Sequence, residues 1–513
     1  MINMRISSAD QNKVYDLLVI GGGINGVGIA NDAAGRGLSV FLCEKDDFAA
    51  HTSSASSKLI HGGLRYLEHK EFRLVREALA EREVLLKKAP HIIRPLRFIM
   101  PHQPHLRPAW LIRTGLFFYD YLGKRETLAG SNNVFFDPEK SPLNNEISRG
   151  FEYSDCAVDD ARLVILNAMQ AREKGATLVT RTQCIGAKKD NGIWLVDLQD
   201  QQGIYRIQTK ALVNATGPWV ASFIQDQLDQ QPEYGIRLVQ GSHIIVEKLY
   251  DGDKAFILQN NDGRIVFAIP YLDQYTLIGT TDQEYHADPN QIEITDFEID
   301  YLIRVSNEHF KKQISREDIV HTFSGVRPLC DDESDNPSAV TRDYTLSLSK
   351  QETNDPVLLS VFGGKLTTYR KLAESAMHQL HPYFKQIRGS WTKDALLPGA
   401  EDLESITQLI EKIKEKLPEI DESLAQRWAH QYGTRVFEML RNVHNLTDLG
   451  EEIAHQLYEK EIEYLIDFEW AISAQDILWR RTKLGMKFTC SETEYLEQCL
   501  IKLHRLRVKE QAA

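Results

Sequence analysis

The chain has 513 residues, with 60 Lys+Arg against 73 Asp+Glu and a net charge of −13. Its 42% apolar and 26% charged content excludes a mainly disordered chain, and the acidic total argues against general nucleic-acid binding. No stretch approaches the roughly 18–20 apolar residues of a membrane span, the amino terminus MINMRISSADQNK has no apolar signal core, and six cysteines lack any C-x-x-C spacing. The expectation is a reduced, cytoplasmic-side enzyme of about three structural units, with neither disulfides nor a metal site.

The run DLLVI (16–20) predicts a parallel strand buried on both faces. Three glycines follow, then a helix-like stretch to Ala34, and SVFLC (39–43) is a second apolar strand ending at Glu44. Phe72, Val75, Leu79 and Leu86 mark a helical stripe stopped by Pro90, and 160–174 reads as another helix before a strand at 176–180. WLVDLQ and IYRIQ, split at Gly203, predict a small antiparallel meander leading into a separate strand, ALVNA (211–215). From about 235 to 350 alternating segments predict an antiparallel sheet, and 357–362 is a last buried strand before Gly363-Gly364. After about 385 glycines become rare and the pattern turns helical. Residues 131–150 and 331–342 read as long surface loops.

Gly21-Gly22-Gly23-Ile24-Asn25-Gly26 is G-x-G-x-x-G after a strand and opening a helix. Gly21 permits the tight turn, Gly23 lets a pyrophosphate approach, and Gly26 lets helix and strand pack closely; the helix N-terminus then faces the phosphates. Glu44, at the tip of the second strand, is placed to accept from ribose hydroxyls and disfavours a 2′-phosphate, so NADP is not expected. NAD and FAD remain open at this point. Leu212-Val213-Asn214-Ala215-Thr216-Gly217, a strand ending in A-T-G after the meander, resembles the second flavin-binding element of glutathione-reductase-like and D-amino-acid-oxidase-like flavoproteins, and that selects FAD.

Two stretches narrow the resemblance: Ile20 to Asp32 with Arg36-Gly37, and Gly363-Gly364-Lys365-Leu366-Thr367-Thr368-Tyr369-Arg370-Lys371-Leu372-Ala373. Both resemble the signatures of the FAD-dependent glycerol-3-phosphate dehydrogenase family in its bacterial, aerobic respiratory form. Residues 53–67, Gly325-Val326-Arg327-Pro328-Leu329 and 476–482 resemble it too, so the likeness runs from about 14 to 510. It implies oxidation of sn-glycerol 3-phosphate to dihydroxyacetone phosphate, with electrons passed through FAD to a membrane quinone. A homodimer held peripherally on the inner face of the cytoplasmic membrane is implied as well. No EF-hand loop is present, so calcium control is not expected.

The implied fold is α/β: a Rossmann-like, discontinuous FAD-binding domain (10–90, 150–220, 355–385), an antiparallel-sheet substrate domain (91–149, 221–354) and an all-helical C-terminal cap (386–513). By resemblance Gly21, Gly23, Asn25, Gly26, Glu44, Ser54, Ser57, Lys58, His61, Gly62, Gly63, Ala215, Thr216, Gly217, Gly364, Lys365, Leu366 and Thr367 hold the cofactor. Arg65, Tyr66, His243, Thr281, Asp282, Arg327 and Lys365 line the substrate site. A phosphate dianion calls for Arg or Lys; Arg327 is the first choice for that clamp, Arg65 the second, and Lys365 could touch both flavin and substrate. His243 is the expected proton acceptor, since an ordinary His pKa of about 6.5 suits a base at neutral pH, whereas Arg327 stays charged. Cys330 reads as packing.

Residues 87–125 hold eight basic residues, Lys87, Lys88, Arg94, Arg97, Arg107, Arg113, Lys124 and Arg125, interleaved with Trp110, Phe117, Phe118, Tyr119 and Tyr121. That pattern suits a peripheral membrane contact; the bland alternative is a domain edge whose cations pair with acids. Residues 502–509 are a weaker second candidate. Two rival functions stand beside the dehydrogenase: a glycerol-3-phosphate oxidase using oxygen, and a flavin-bearing sensor without turnover.

Overall fold

A computed structural model describes residues 8–67, 71–103, 108–123, 125–330, 343–349 and 355–512. The loop expected at 331–342 lies outside the described residues.

Val14–Ile20 is the central strand of an eight-stranded sheet, flanked in parallel by Val40–Cys43 and by Gly203–Asn214, which in turn pairs in parallel with Val357–Phe362. The registers Ile20↔Asn214, Ile20↔Cys43 and Asn214↔Ser360 bring four strands to one carboxyl edge. Gly21, Glu44, Ala215 and Gly363 therefore leave the sheet side by side, in the crevice where such sheets bind ligands. Helices Ile24–Gly35, Asp160–Glu173 and Tyr369–Leu380 cover one face through a single apolar core.

The meander is present, but its last strand and ALVNA are one element. Gly203–Asn214 pairs antiparallel with Ile193–Asp200 in its first half and parallel with Val14–Ile20 in its second. Thr209 and Lys210, polar residues between the two apolar runs, continue the strand: Thr209 is buried between Trp194 and Tyr15.

The second sheet has ten strands, with Ile236–Glu247 between Ile319–Cys330 and Tyr275–Gly279 toward one edge. It is mainly antiparallel, although Ala255–Gln259 runs parallel to Ile93–Pro101. Leu59–Ile60 and Arg149–Val158, which fall in the stretches assigned to the cofactor domain, pair in this sheet. The expected loop 131–150 contains an edge strand, Asn132–Phe135, whose mostly exposed side chains hid it from a burial-based reading.

The C-terminal part is helical but not wholly so. Glu452–Ala454 and Leu457–Tyr458 form a hairpin whose turn residues His455 and Gln456 both take positive φ. Buried ion pairs fasten this cap to the rest: Asp47 accepts from Arg480 Nε at 2.6 Å and from Arg481 Nη1 at 2.7 Å, and Arg162 pairs with Glu469.

Candidate active site

The glycine turn is built for close approach. Gly21 has φ +110, and a Cβ there would stand 2.5 Å from Ala215 O; one on Gly26 would stand 1.9 Å from Gly21 O. Gly23, by contrast, is the N-cap of helix Ile24–Gly35, with no side chain to cap it, and a Cβ on it would meet only Ser53 Oγ, at 3.1 Å. Ser53 Oγ accepts from Ile24 N at 3.0 Å, and the helix dipole at this end still favours an anion. Glu44 is buried and accepts from Gly22 N at 2.6 Å and Asp46 N at 2.8 Å. Burial pushes its carboxyl up.

Two adjoining cavities, of about 290 and 320 Å³, share Gly23, Thr52, Ser53, Ala215, Gly217 and Pro218. Together they make one long cleft, with Glu44 and Thr216 at one end and Arg65, Tyr66, His243, Asp282, Arg327 and Lys365 at the other. Ser57, His61, Gly63, Gly364, Leu366 and Thr367 line the second end. The Gly363-Gly364 turn has φ +77 and +106, and a Cβ on Gly364 would stand 2.6 Å from Asn25 Nδ2. Asn25 donates to Gly363 O at 3.1 Å, while its buried Oδ1 has no partner among the described residues.

Around the second end, Arg327 donates to Asp282 and, through Nη2, to Thr280 Oγ1 at 2.8 Å. Gly241 leaves room for that guanidinium, since a Cβ would stand 2.4 Å from Nη2. Lys365 Nζ lies 4.0 Å from the centre of the Tyr66 ring and has no hydrogen bond among the described residues. Arg65 reaches the cleft from the short turn Leu64–Leu67. His243 is buried, stacks on Phe323 at 4.7 Å, and its Nε2 lies 2.9 Å from Ser57 Oγ. Burial, then the Arg327 and Lys58 charges, hold its pKa well below 6.5, so the imidazole is neutral at physiological pH.

Three residues expected at the site turn away from it. Thr281 faces the interior, donating to Glu298 and accepting from Ser242 N, and Thr280 lines the cleft in its place. Lys58 needs a carboxylate for its buried ammonium and finds Asp160 at 2.9 Å. Ser54 donates to His51 O, and with Lys58 it borders an adjoining cavity of about 500 Å³ beneath the cap, which shares His51, Thr52 and Pro218 with the first. Gly62, also expected at the site, contacts the cleft only indirectly, through its N–H to Asp155 Oδ1 at 3.2 Å. Missed by sequence reasoning were Thr280, Ser53 and Asp155, none with a signal beyond proximity to a motif. Glu44, Asp46 and His51 bring one ligand atom each within 4.8 Å, but backbone N–H groups already occupy both Glu44 oxygens.

The basic segment divides. Lys88 is buried against Thr392 O and Ala395 O, Lys87, Arg97 and Arg125 pair with Glu126, Glu152 and Asp120, and Arg107 and Lys124 lie outside the described residues. Its aromatic part stands out instead: on helix Ala109–Tyr121, Trp110 is 69% and Tyr121 70% exposed, beside exposed Leu111, Phe117 and Phe118. Among the described residues no helix is long and apolar enough to cross a membrane.

A glycine cradle, a helix N-terminus facing the cleft and a long two-part cleft are what a dinucleotide cofactor requires, and Asn25 Oδ1 and Lys365 Nζ, without a hydrogen bond among the described residues, are polar atoms left for it or for substrate. A family model described as FAD dependent oxidoreductase matches residues 16–370, and one described as the C-terminal domain of alpha-glycerophosphate oxidase matches 390–504. The molecule is an FAD-dependent oxidoreductase. It is 61% identical over 507 residues to a glycerol-3-phosphate dehydrogenase of Pseudomonas aeruginosa, covering 99% of each chain. It is 54% identical to the aerobic glycerol-3-phosphate dehydrogenase of Escherichia coli (97% and 99% covered) and 50% identical to a D-erythritol 1-phosphate dehydrogenase of Brucella abortus (94% and 96%). Among solved structures, the Bacillus halodurans glycerol-3-phosphate dehydrogenase complexed with FAD is similar at TM-score 0.75 and 26% identity, covering 96% of this chain and 91% of that one. The chain belongs to the FAD-dependent glycerol-3-phosphate dehydrogenase family.

Proposed function

We propose that the protein oxidises sn-glycerol 3-phosphate at C2 to dihydroxyacetone phosphate and passes the electrons to a membrane quinone. The observation that carries this reading is the gathering of Arg65, Arg327 and Lys365 around a neutral, buried His243 at one end of the cofactor cleft. Bound FAD supplies the two-electron acceptor. The three cations suit a phosphate dianion, Arg65 and Lys365 first, because Arg327 already spends part of its donor fork on Asp282 and Thr280. The hydroxyl proton goes to the His243 imidazole, whose Nδ1 has no hydrogen-bond partner among the described residues.

A relative named for a four-carbon polyol phosphate makes chain length the second question. Phe98, Ile257, Ile265 and Phe267 form much of the far wall, and Asp155 there is occupied by Tyr119 and Arg82. Extra substrate hydroxyls would lose hydration without finding partners, which favours the three-carbon ester. Competing the two esters in one assay tests it: a higher kcat/KM for D-erythritol 1-phosphate would reverse the assignment. Quinone-analogue reduction compared with peroxide yield tests the acceptor against the oxidase alternative.

The exposed aromatic face of helix Ala109–Tyr121 supports a peripheral seat at a membrane headgroup layer, more than the charges of the segment do. Replacing Trp110, Phe117 and Tyr121 with Ser is expected to abolish co-sedimentation with anionic vesicles; full pelleting of that variant would refute the seat. The homodimer expected from the resemblance is checked by light scattering.

A further inference from the structure

The Thr280–Asp282 turn and the strand end at His243 meet on one buried carboxylate, Glu298. It projects from the first turn of helix Asp296–His309, outside the cleft. Its Oε1 accepts from Ser242 Oγ at 2.8 Å and Thr281 Oγ1 at 2.5 Å. Its Oε2 accepts from Gln240 Nε2 at 2.8 Å and from Thr295 N and Oγ1, both at 3.0 Å. Thr281 Oγ1 in turn accepts from Ser242 N at 2.9 Å, tying the two strands together. Glu298 is 1% exposed, and no ion pair to it is found among the described residues.

A helix cap needs only the Thr295 bonds. The remaining three donors come from Gln240, Ser242 and Thr281, and each sits next to a residue of the cleft. Ser242 precedes His243, and Thr281 lies between Thr280 and Asp282, the two partners of Arg327. Gln240 and Ser242 flank Gly241, the residue that leaves space for the Arg327 guanidinium. We infer that Glu298 is a positioning residue, which through Thr281 and Ser242 sets the Asp282–Arg327 pair and the His243 backbone in register for a phosphorylated substrate. The inference rests on the reading of this cleft as a polyol-phosphate site.

Glu298→Gln keeps the shape but removes the charge, and its NH2 meets the Ser242 and Thr281 hydroxyls, which must turn from donating to accepting and give up their present arrangement. In the FAD-loaded full chain it is expected to raise KM for sn-glycerol 3-phosphate by about tenfold or more. Thr281→Val should reproduce the effect and Thr281→Ser should remove it. Thr295→Ala takes from Glu298 only a donor on the side of the cap, away from the cleft, so it should lower the melting temperature and leave kcat/KM within about twofold.

Inorganic phosphate titrated against the flavin spectrum gives the same comparison without turnover. A wild type that ignores sn-glycerol 3-phosphate would therefore refute the substrate and still leave Glu298 decided. A folded, FAD-loaded Glu298→Gln with KM and phosphate affinity unchanged overturns the inference, and so does a Thr295→Ala that loses as much. Should Glu298→Gln not fold, Thr281→Val decides in the same way.

Discussion

Ser57 and His243, 186 residues apart in the chain, meet at 2.9 Å between Oγ and Nε2. One comes from the loop between strands Val40–Cys43 and Leu59–Ile60, the other from strand Ile236–Glu247 of the second sheet, so the contact joins the cofactor half of the cleft to the substrate half. Burial holds the His243 pKa well below the usual range, so the ring is unprotonated throughout the neutral region but a weaker base than the ordinary imidazole expected from the sequence. The expected kcat profile therefore shows no acid limb near pH 6.5. His243→Gln is expected to lower kcat about 10²–10⁴-fold, and Ser57→Ala less, through loss of ring orientation. Wild-type turnover in His243→Gln would remove His243 from the proton step.

Asp47 lies beneath the glycine turn and holds two buried arginines of the cap, Arg480 and Arg481. Asp47→Ala leaves both cations buried with part of their partners gone, a change that costs about 3–5 kcal/mol in comparable sites. The expected result is a large fall in melting temperature, with the cap loosening first in hydrogen exchange. A fall of only a degree or two would mean that the cap is held by its apolar contacts.

His91 is buried with neither ring nitrogen hydrogen-bonded among the described residues, and burial, aided by Arg162 and His430, pushes its pKa down to about 3. The unfolded chain takes up this proton near its ordinary pKa of about 6.5, while the native state does not. Stability is therefore intact above that value and declines as pH falls, by up to about 1.4 kcal/mol per pH unit for this one group. His91→Leu should gain on the wild type by about 2 kcal/mol between pH 6.5 and 5. Parallel stability curves would show that His91 is protonated or hydrated in the native state.

The parts of the fold legible in the sequence are those where chemistry leaves one solution. Gly21, Gly26 and Gly364 stand where a Cβ would meet backbone or Asn25, so their motif announces the turn. The buried parallel strands announce themselves as unbroken apolar runs. What stayed hidden depends on facing. Thr280 and Thr281 are adjacent and chemically alike, and only the strand end decides which lines the cleft. Lys58 sits in a cofactor-like motif yet answers to Asp160, 102 residues away. Some charges of 87–125 look unpaired in sequence because a partner such as Glu152 is brought to Arg97 by folding. Glu298 reads as an ordinary acid near a helix start, and only the second sheet gives it three further donors.

The most direct test is the anaerobic visible spectrum of the purified, FAD-loaded protein before and after addition of sn-glycerol 3-phosphate. The account predicts that the oxidised-flavin band at about 450 nm bleaches on addition and returns when a quinone analogue is supplied. A band that persists unchanged would contradict it, leaving the flavin in place and the substrate wrongly assigned.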